Sequence, residues 1–191
     1  ARVSCFLLED PQLDFSLLQY LTRVSFYCVK RKTVILPPSV VELQLESSSG
    51  VAITQGAENL TKLALDKSDI KQTHLPRLCH VECKKNDVSV PLSKMRAETL
   101  TTVTSMRLVT KFLSPKLKLP PLLLSLTIEL QQGGWPAEVL AQLTQLQRLC
   151  VERTPSDIAL QFSSLLSLTG FTSGCTFHGT LPSSLVVCSI I

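Results

Sequence analysis

Seven glycines, three histidines and one tryptophan in 191 residues leave this chain little of the material from which common active sites are built. No glycine run of the phosphate-cradling kind occurs. His74, His80 and His178 lie near no glycine-flanked serine and form no HExxH pair, so the usual nucleophilic and zinc-hydrolase arrangements are missing. Neighbouring acids such as Glu9 and Asp10 read as solvated surface on a loop. Long apolar runs are lacking too: the greasiest window, residues 119–130, is interrupted by Pro120, Pro121 and Glu129 and falls short of the roughly 18 apolar residues of a membrane helix. At the amino end the apolar segment is too short for a secretory signal, and the first residue, Ala1, is not methionine, which points to a processed, trimmed or excerpted chain. The expectation is a chain with no catalytic residue, cofactor, metal, membrane span or evident small-molecule substrate.

Cysteines number seven, an odd count, and they are scattered instead of paired in terminal caps. Cys83 and Cys188 fall on positions that face a core, where a small apolar side chain fits. Cys79, His80 and Cys83, or Cys175 and His178, have residue types that suit zinc. Strand alternation opposes that use, because it sends Cys83 inward and His80 outward. Free thiols favour a reducing, intracellular and cytoplasmic setting; the sequon Asn59-Leu60-Thr61 pulls weakly the other way.

What the chain does have is a recurring frame. Composition is 45% hydrophobic and 5% aromatic, with leucine and valine carrying the burial. The pattern Leu-x-x-Leu-x-Leu or a near relative returns nine times, anchored at Val24, Leu43, Leu63, Val81, Met106, Leu126, Leu149, Phe171 and Cys188. Successive intervals are 19, 20, 18, 25, 20, 23, 22 and 17 residues. The clearest copy runs Leu75, Leu78, Val81, Cys83, Asn86, Val88. Three copies share a longer form, L-P-x-x-φ-x-x-φ-x-φ with φ apolar, beginning at Leu36, Leu119 and Leu181. There the proline suits an extended segment entering a strand. The copy at Phe171 is the least regular, with Ser173 in an anchor slot between Gly170 and Gly174.

On these residues the chain resembles leucine-rich repeat proteins, and its leading L-P dipeptides are similar to the short repeats of bacterial effectors and amoebal FNIP-type proteins. The resemblance covers residues 18–191 and specifies no subfamily. It implies an α/β solenoid, mostly β with short helices or 3₁₀ turns: right-handed, of about nine repeats, with a curved parallel sheet on its concave face. Residues 1–17 are expected to form an irregular first turn or cap. The apolar run at residues 185–191 implies a chain that continues, or a partner that covers its last edge. The asparagine position of the family is kept only at Asn86. Val29, Ser48, Ser68, Lys111, Gln131, Thr154 and Thr176 stand there in other copies; Ser or Thr can still bond the turn backbone, whereas Val29 cannot and Lys111 points outward.

Function then rests on surface. Residues flanking the anchors point away from the core and form columns from strand to strand. The first column reads Arg23, Glu42, Lys62, His80, Ser105, Ser125, Arg148. A middle column reads Ser25, Gln44, Ala64, Glu82, Arg107, Thr127, Cys150, and a third reads Tyr27, Glu46, Asp66, Lys84, Val109, Glu129, Glu152. Charges of both signs alternate, which suits a patterned protein partner better than a polyanion. Partner-binding candidates are therefore Arg23, Glu42, Gln44, Glu46, Lys62, Asp66, His80, Glu82, Lys84, Arg107, Glu129, Arg148 and Glu152. The interval of 25 predicts a short helix or loop over residues 89–98 and makes Lys94 and Arg96 loop candidates; the interval of 23 predicts a helix over residues 137–146 with Trp135 packed under it, and makes Trp135 the third loop candidate, a binding hot spot where exposed.

The leading expectation is a non-enzymatic protein-interaction module, part of a longer protein. The alternative is a structural subunit of a large, RNA-containing assembly. The net charge of +4 comes from Lys30-Arg31-Lys32, Lys84-Lys85, Lys111, Lys116 and Lys118, which the frame places on the exit side of their strands as a ridge that would contact phosphates. That ridge lacks the interleaved aromatics of a stacking platform.

Overall fold

A computed structural model describes the chain except residues 7–11, 72–73, 86–87, 94, 133–134, 154–157, 160–161, 163–164, 176, 179 and 191. In chain order the elements are β1 (Arg2–Phe6), β2 (Gln12–Asp14), β3 (Arg23–Tyr27), β4 (Thr33–Ile35), β5 (Glu42–Glu46), β6 (Ala52–Gln55), β7 (Lys62–Asp66) and β8 (His80–Lys84). Then follow α1 (Ser89–Ser93), α2 (Ala97–Leu100), β9 (Ser105–Thr110), β10 (Ser125–Leu130), α3 (Ala137–Leu140), β11 (Arg148–Arg153), β12 (Ile158–Ala159), β13 (Gly170–Ser173), β14 (Phe177–His178) and β15 (Val187–Ile190). The fold is a parallel β-solenoid. One ten-stranded sheet runs β1-β3-β5-β7-β8-β9-β10-β11-β13-β15.

All nine anchors lie opposite one another across this sheet, from Val24 beside Leu43 to Phe171 beside Cys188. Alternation explains the burial. In β5, β7 and β8 the anchors and the residues two further on, such as Leu43, Leu45, Val81 and Cys83, are buried, while the side chains between them are half-buried. The Leu-x-x-Leu half of the motif has its own role. In every copy the amide three residues before the anchor donates to the carbonyl three residues earlier still, from Leu21 to Leu18 through Leu185 to Pro182, at 2.9–3.4 Å. This turn aims the chain into the strand. In the proline copies Pro37, Pro120 and Pro182 supply its accepting carbonyl, a place that needs no N–H.

Interval length decides what returns the chain to the next strand. Short intervals use extended backbone: β2, β4 and β6 form a second parallel sheet, rich in β-branched residues at Thr33, Val34, Ile35, Ile53 and Thr54. A helix advances roughly 1.5 Å per residue against about 3.3 Å for a strand, so only longer intervals can return by helix. The interval of 25 holds α1 and α2, as expected for residues 89–98. The helix expected over residues 137–146 is shorter, ending at Leu140, because Leu143 already opens the turn whose last amide, at Leu146, donates to its carbonyl.

A pair of serines, Ser48 and Ser68, bonds the turn backbone after β5 and β7. Ser48 Oγ accepts from the Val29 amide at 3.0 Å and donates to the Glu46 carbonyl at 2.9 Å; the Ser48 amide donates to Ser68 Oγ at 2.8 Å, and Ser68 Oγ donates to the Asp66 carbonyl at 2.7 Å. Both serines are buried, and Lys111 is exposed. Asn86, Thr154 and Thr176 lie outside the described residues. Ser48→Ala should lower stability by about 1–3 kcal/mol, because it leaves the buried Val29 amide without an acceptor. Chemical denaturation checks this, and Lys111→Ala, exposed and outside the ladder, should change little.

Two ends of the stack differ from the sequence expectation. Residues 2–6 form a regular strand, β1, paired in register with β3, where an irregular turn or cap was expected; Val3 and Cys5 pack against the core. At the other end Cys188 keeps its register beside Phe171 but is exposed, since among the described residues β15 sits at the outer edge of the sheet. The irregular copy at Phe171 is a strand all the same. Ser173 is buried and its hydroxyl donates to the Cys175 carbonyl at 2.7 Å, while a Cβ on Gly174 would lie 2.4 Å from the Glu152 carbonyl oxygen.

Candidate interaction surface

Residues flanking the anchors of the ten-stranded sheet align in the expected columns, although Ser25 among them is buried. Arg23, Glu42, Lys62, His80, Ser105, Ser125 and Arg148 stand in one row of partners, and Ser25, Gln44, Ala64, Glu82, Arg107, Thr127 and Cys150 in the next. In the third, Tyr27, Glu46, Asp66, Lys84, Val109 and Glu129 align, but Glu152 does not follow. The register shifts between Ile128 and Glu129, so Glu129 faces Arg153. Glu152 sits at this bulge and takes a different partner: Arg107 reaches over β10 to donate to it at 2.7 Å. The Arg107 Nε is buried and has no hydrogen-bond partner among the described residues.

The charges are largely engaged with one another. Glu42 is held by Arg23 at 3.0 Å and by Lys62 at 3.2 Å, and Glu82 by Lys84 at 3.4 Å. Exposed pairs of this kind stabilise weakly, by about 0–1 kcal/mol each, but a network limits where each head group sits. Glu42, Gln44, Lys62, Asp66, Glu82 and Lys84 surround a hollow of about 150 Å³ floored by Ala64, the one residue in the middle column that is a bare methyl. His80 Nδ1 lies 3.0 Å from Ser105 Oγ; burial, reinforced by Lys62, pushes its pKa below the usual histidine value. Toward β15, where Cys150, Gly170 and Thr172 are small, the same face opens into a second hollow of about 510 Å³ bordered by Arg148 and Val187.

The aromatic end of the face was not foreseen. Phe6 on β1 stacks on Tyr27 with ring centres 4.5 Å apart, and Phe6 is 63% exposed. The only signal in the sequence was the Val-x-Cys spacing of residues 3–5, which lacks a preceding Leu-x-x-Leu.

Four of the basic residues expected along a ridge can be placed. Lys84 belongs to β8 and pairs on the open face, Lys85 Nζ lies 3.9 Å from Asp69, and Lys116 and Lys118 stand on the return side beside α1 and α2. Among the loop candidates, Arg96 is exposed ahead of α2, Trp135 is half-buried against the core, and Lys94 lies outside the described residues. Of the cysteines weighed as metal ligands, Cys83 is buried and its thiol is pushed up to about 12 by desolvation, while Cys175 packs beside Ser173 at 3.3 Å. The His178 side chain lies outside the described residues. Asn59 of the sequon donates to the Pro38 carbonyl and accepts from Arg77, both at 2.9 Å. No described helix is long and apolar enough to cross a membrane.

Compared with protein-family models, curated proteins and solved structures, the chain matches none.

Proposed function

We propose that this chain is a non-enzymatic recognition module of the leucine-rich repeat kind, right-handed and with its ten-stranded sheet concave, that binds a protein along that face as part of a longer polypeptide. One observation carries the reading: acids and bases interleave across the columns and are already held by neighbours, as Glu42 is between Arg23 and Lys62. A face ordered in this way loses little side-chain freedom on binding and discriminates by charge pattern. A polyanion would be met better by a stripe of one sign, and here Glu42, Glu46, Asp66, Glu82, Glu129 and Glu152 interrupt every such stripe.

The test is affinity purification of the chain from native lysate in low and high salt, with bound material analysed for protein and RNA. A discrete partner that survives high salt is expected, and Glu42→Lys, Glu82→Lys and Arg107→Glu combined should weaken its binding by at least about tenfold. A large RNA-containing particle, lost at high salt and indifferent to these reversals, would instead make the chain a structural subunit of such an assembly.

A further inference from the structure

A second surface lies on the return side, away from the open sheet. The interval of 25 residues brings α1 and α2 beside the segment that follows β9, leaving a hollow of about 490 Å³ lined by Leu92, Ser93, Met95, Ala97, Leu100, Lys116 and Lys118. Its volume lies within the roughly 300–1,000 Å³ of ligand-sized clefts. Four of its residues are apolar in the sense of presenting only hydrocarbon or thioether, and two are cations. No acid is among them.

The lysines are set on a fixed backbone. The Leu117 amide closes a turn onto the Ser114 carbonyl at 3.0 Å, which places Lys116. Gln142, from the following turn of the solenoid, then grips the chain on both sides of Lys118: its Nε2 donates to the Leu117 carbonyl and its Oε1 accepts from the Leu119 amide, each at 3.0 Å. Leu117 and Leu119 are buried, so strand-like alternation turns Lys118 outward, and both lysines are exposed. Neither has an ion-pair partner among the described residues, whereas Lys62, Lys84 and Lys85 each lie within 4 Å of an acid. Both lysines thus border a largely apolar hollow, with no ion-pair partner among the described residues.

We infer that this hollow docks an acidic, amphipathic peptide segment of a protein partner, with one apolar side chain lying against Leu92, Met95 and Leu100 and two carboxylates meeting Lys116 and Lys118. A purely polar polyanion would leave the apolar floor unused, and a purely apolar segment would leave the two cations unpaired. The surface is separate from the open sheet face, so the fate of that reading does not decide this one.

The chain's two methionines supply the test. Met95 lines the hollow, and Met106 is buried under the sheet as an internal control. Random peptides displayed on phage are selected on the whole chain, and the recovered sequences are titrated into methyl-labelled protein. Expected are peptides that pair Asp or Glu with a large apolar residue, shift the Met95 methyl signal and leave that of Met106 in place. The double variant Lys116→Glu, Lys118→Glu should bind them at least about tenfold more weakly; both side chains are exposed, so circular dichroism should be unchanged. Lys116→Gln, Lys118→Gln gives a milder second reading. Recovery of no such peptides, equal binding by the double variant, or a Met95 signal that does not move overturns the inference. So does retention of the chain on vesicles of phosphatidylserine and phosphatidylcholine without recovery of an acidic peptide, which would assign the hollow to a membrane surface.

Discussion

Gly56→Ala is expected to lower stability by about 3–5 kcal/mol, a large share of the roughly 5–15 kcal/mol of an ordinary domain. Gly56 has φ +77°, a region that L-residues enter at a cost of about 1–2 kcal/mol. Space makes it worse. A Cβ there would lie 1.6 Å from the Leu36 carbonyl oxygen and 2.4 Å from its carbon. Backbone atoms cannot rotate away as a side chain can, so β6 would have to separate from the turn that begins at Leu36, whose amide donates to the Gln55 carbonyl at 3.1 Å. Gly50→Ala is the control. It shares the positive φ, at +64°, but its nearest neighbour would be Arg31 at 3.6 Å, so only the conformational cost of about 1 kcal/mol should appear. Denaturation midpoints of both variants decide the matter, and equal losses would show that crowding at Leu36 plays no part.

Phe26→Ala should lower stability by about 3–5 kcal/mol through the cavity it leaves. The ring is fully buried in the second inward slot of β3, between Cys5 and Leu45 on the neighbouring strands, with the Phe15 ring 5.7 Å away. Each turn of a solenoid touches only its neighbours, so the loss should be felt locally before it is felt globally. Amide exchange should quicken across β1, β3 and β5 while β10 and β11 keep their protection. Uniform loss of protection along the chain would show instead that the stack unfolds as one cooperative unit.

Much of this architecture could be read before any coordinates. The nine anchors needed only the leucine frame, because a strand's inward side chains recur every second residue and a solenoid repeats them at each turn. Columns on the open face followed from the same alternation, and the helical insertion from the single long interval. Other features depended on contacts between turns. β1 was missed because the residues before Val3 are too few to carry a Leu-x-x-Leu turn, yet its backbone pairs with β3 all the same. Glu152 was placed one column too neatly, since alternation cannot foresee a bulge, and its actual partner, Arg107, lies two strands away.

The division has a physical cause. Periodic burial is local information: a leucine at a given offset faces the core whichever turn follows it. That was enough to dictate a parallel solenoid, most of its inward residues and the order of its outward columns as far as β10. Which charges neutralise one another, where Ser48 finds the amide of Val29, and how Gln142 pins the lysines at the return-side hollow are set by side chains from different turns brought within 4 Å. The spacing of turns varies from 17 to 25 residues, so no fixed offset in the chain encodes those meetings, and only the stacking of one turn on the next produces them.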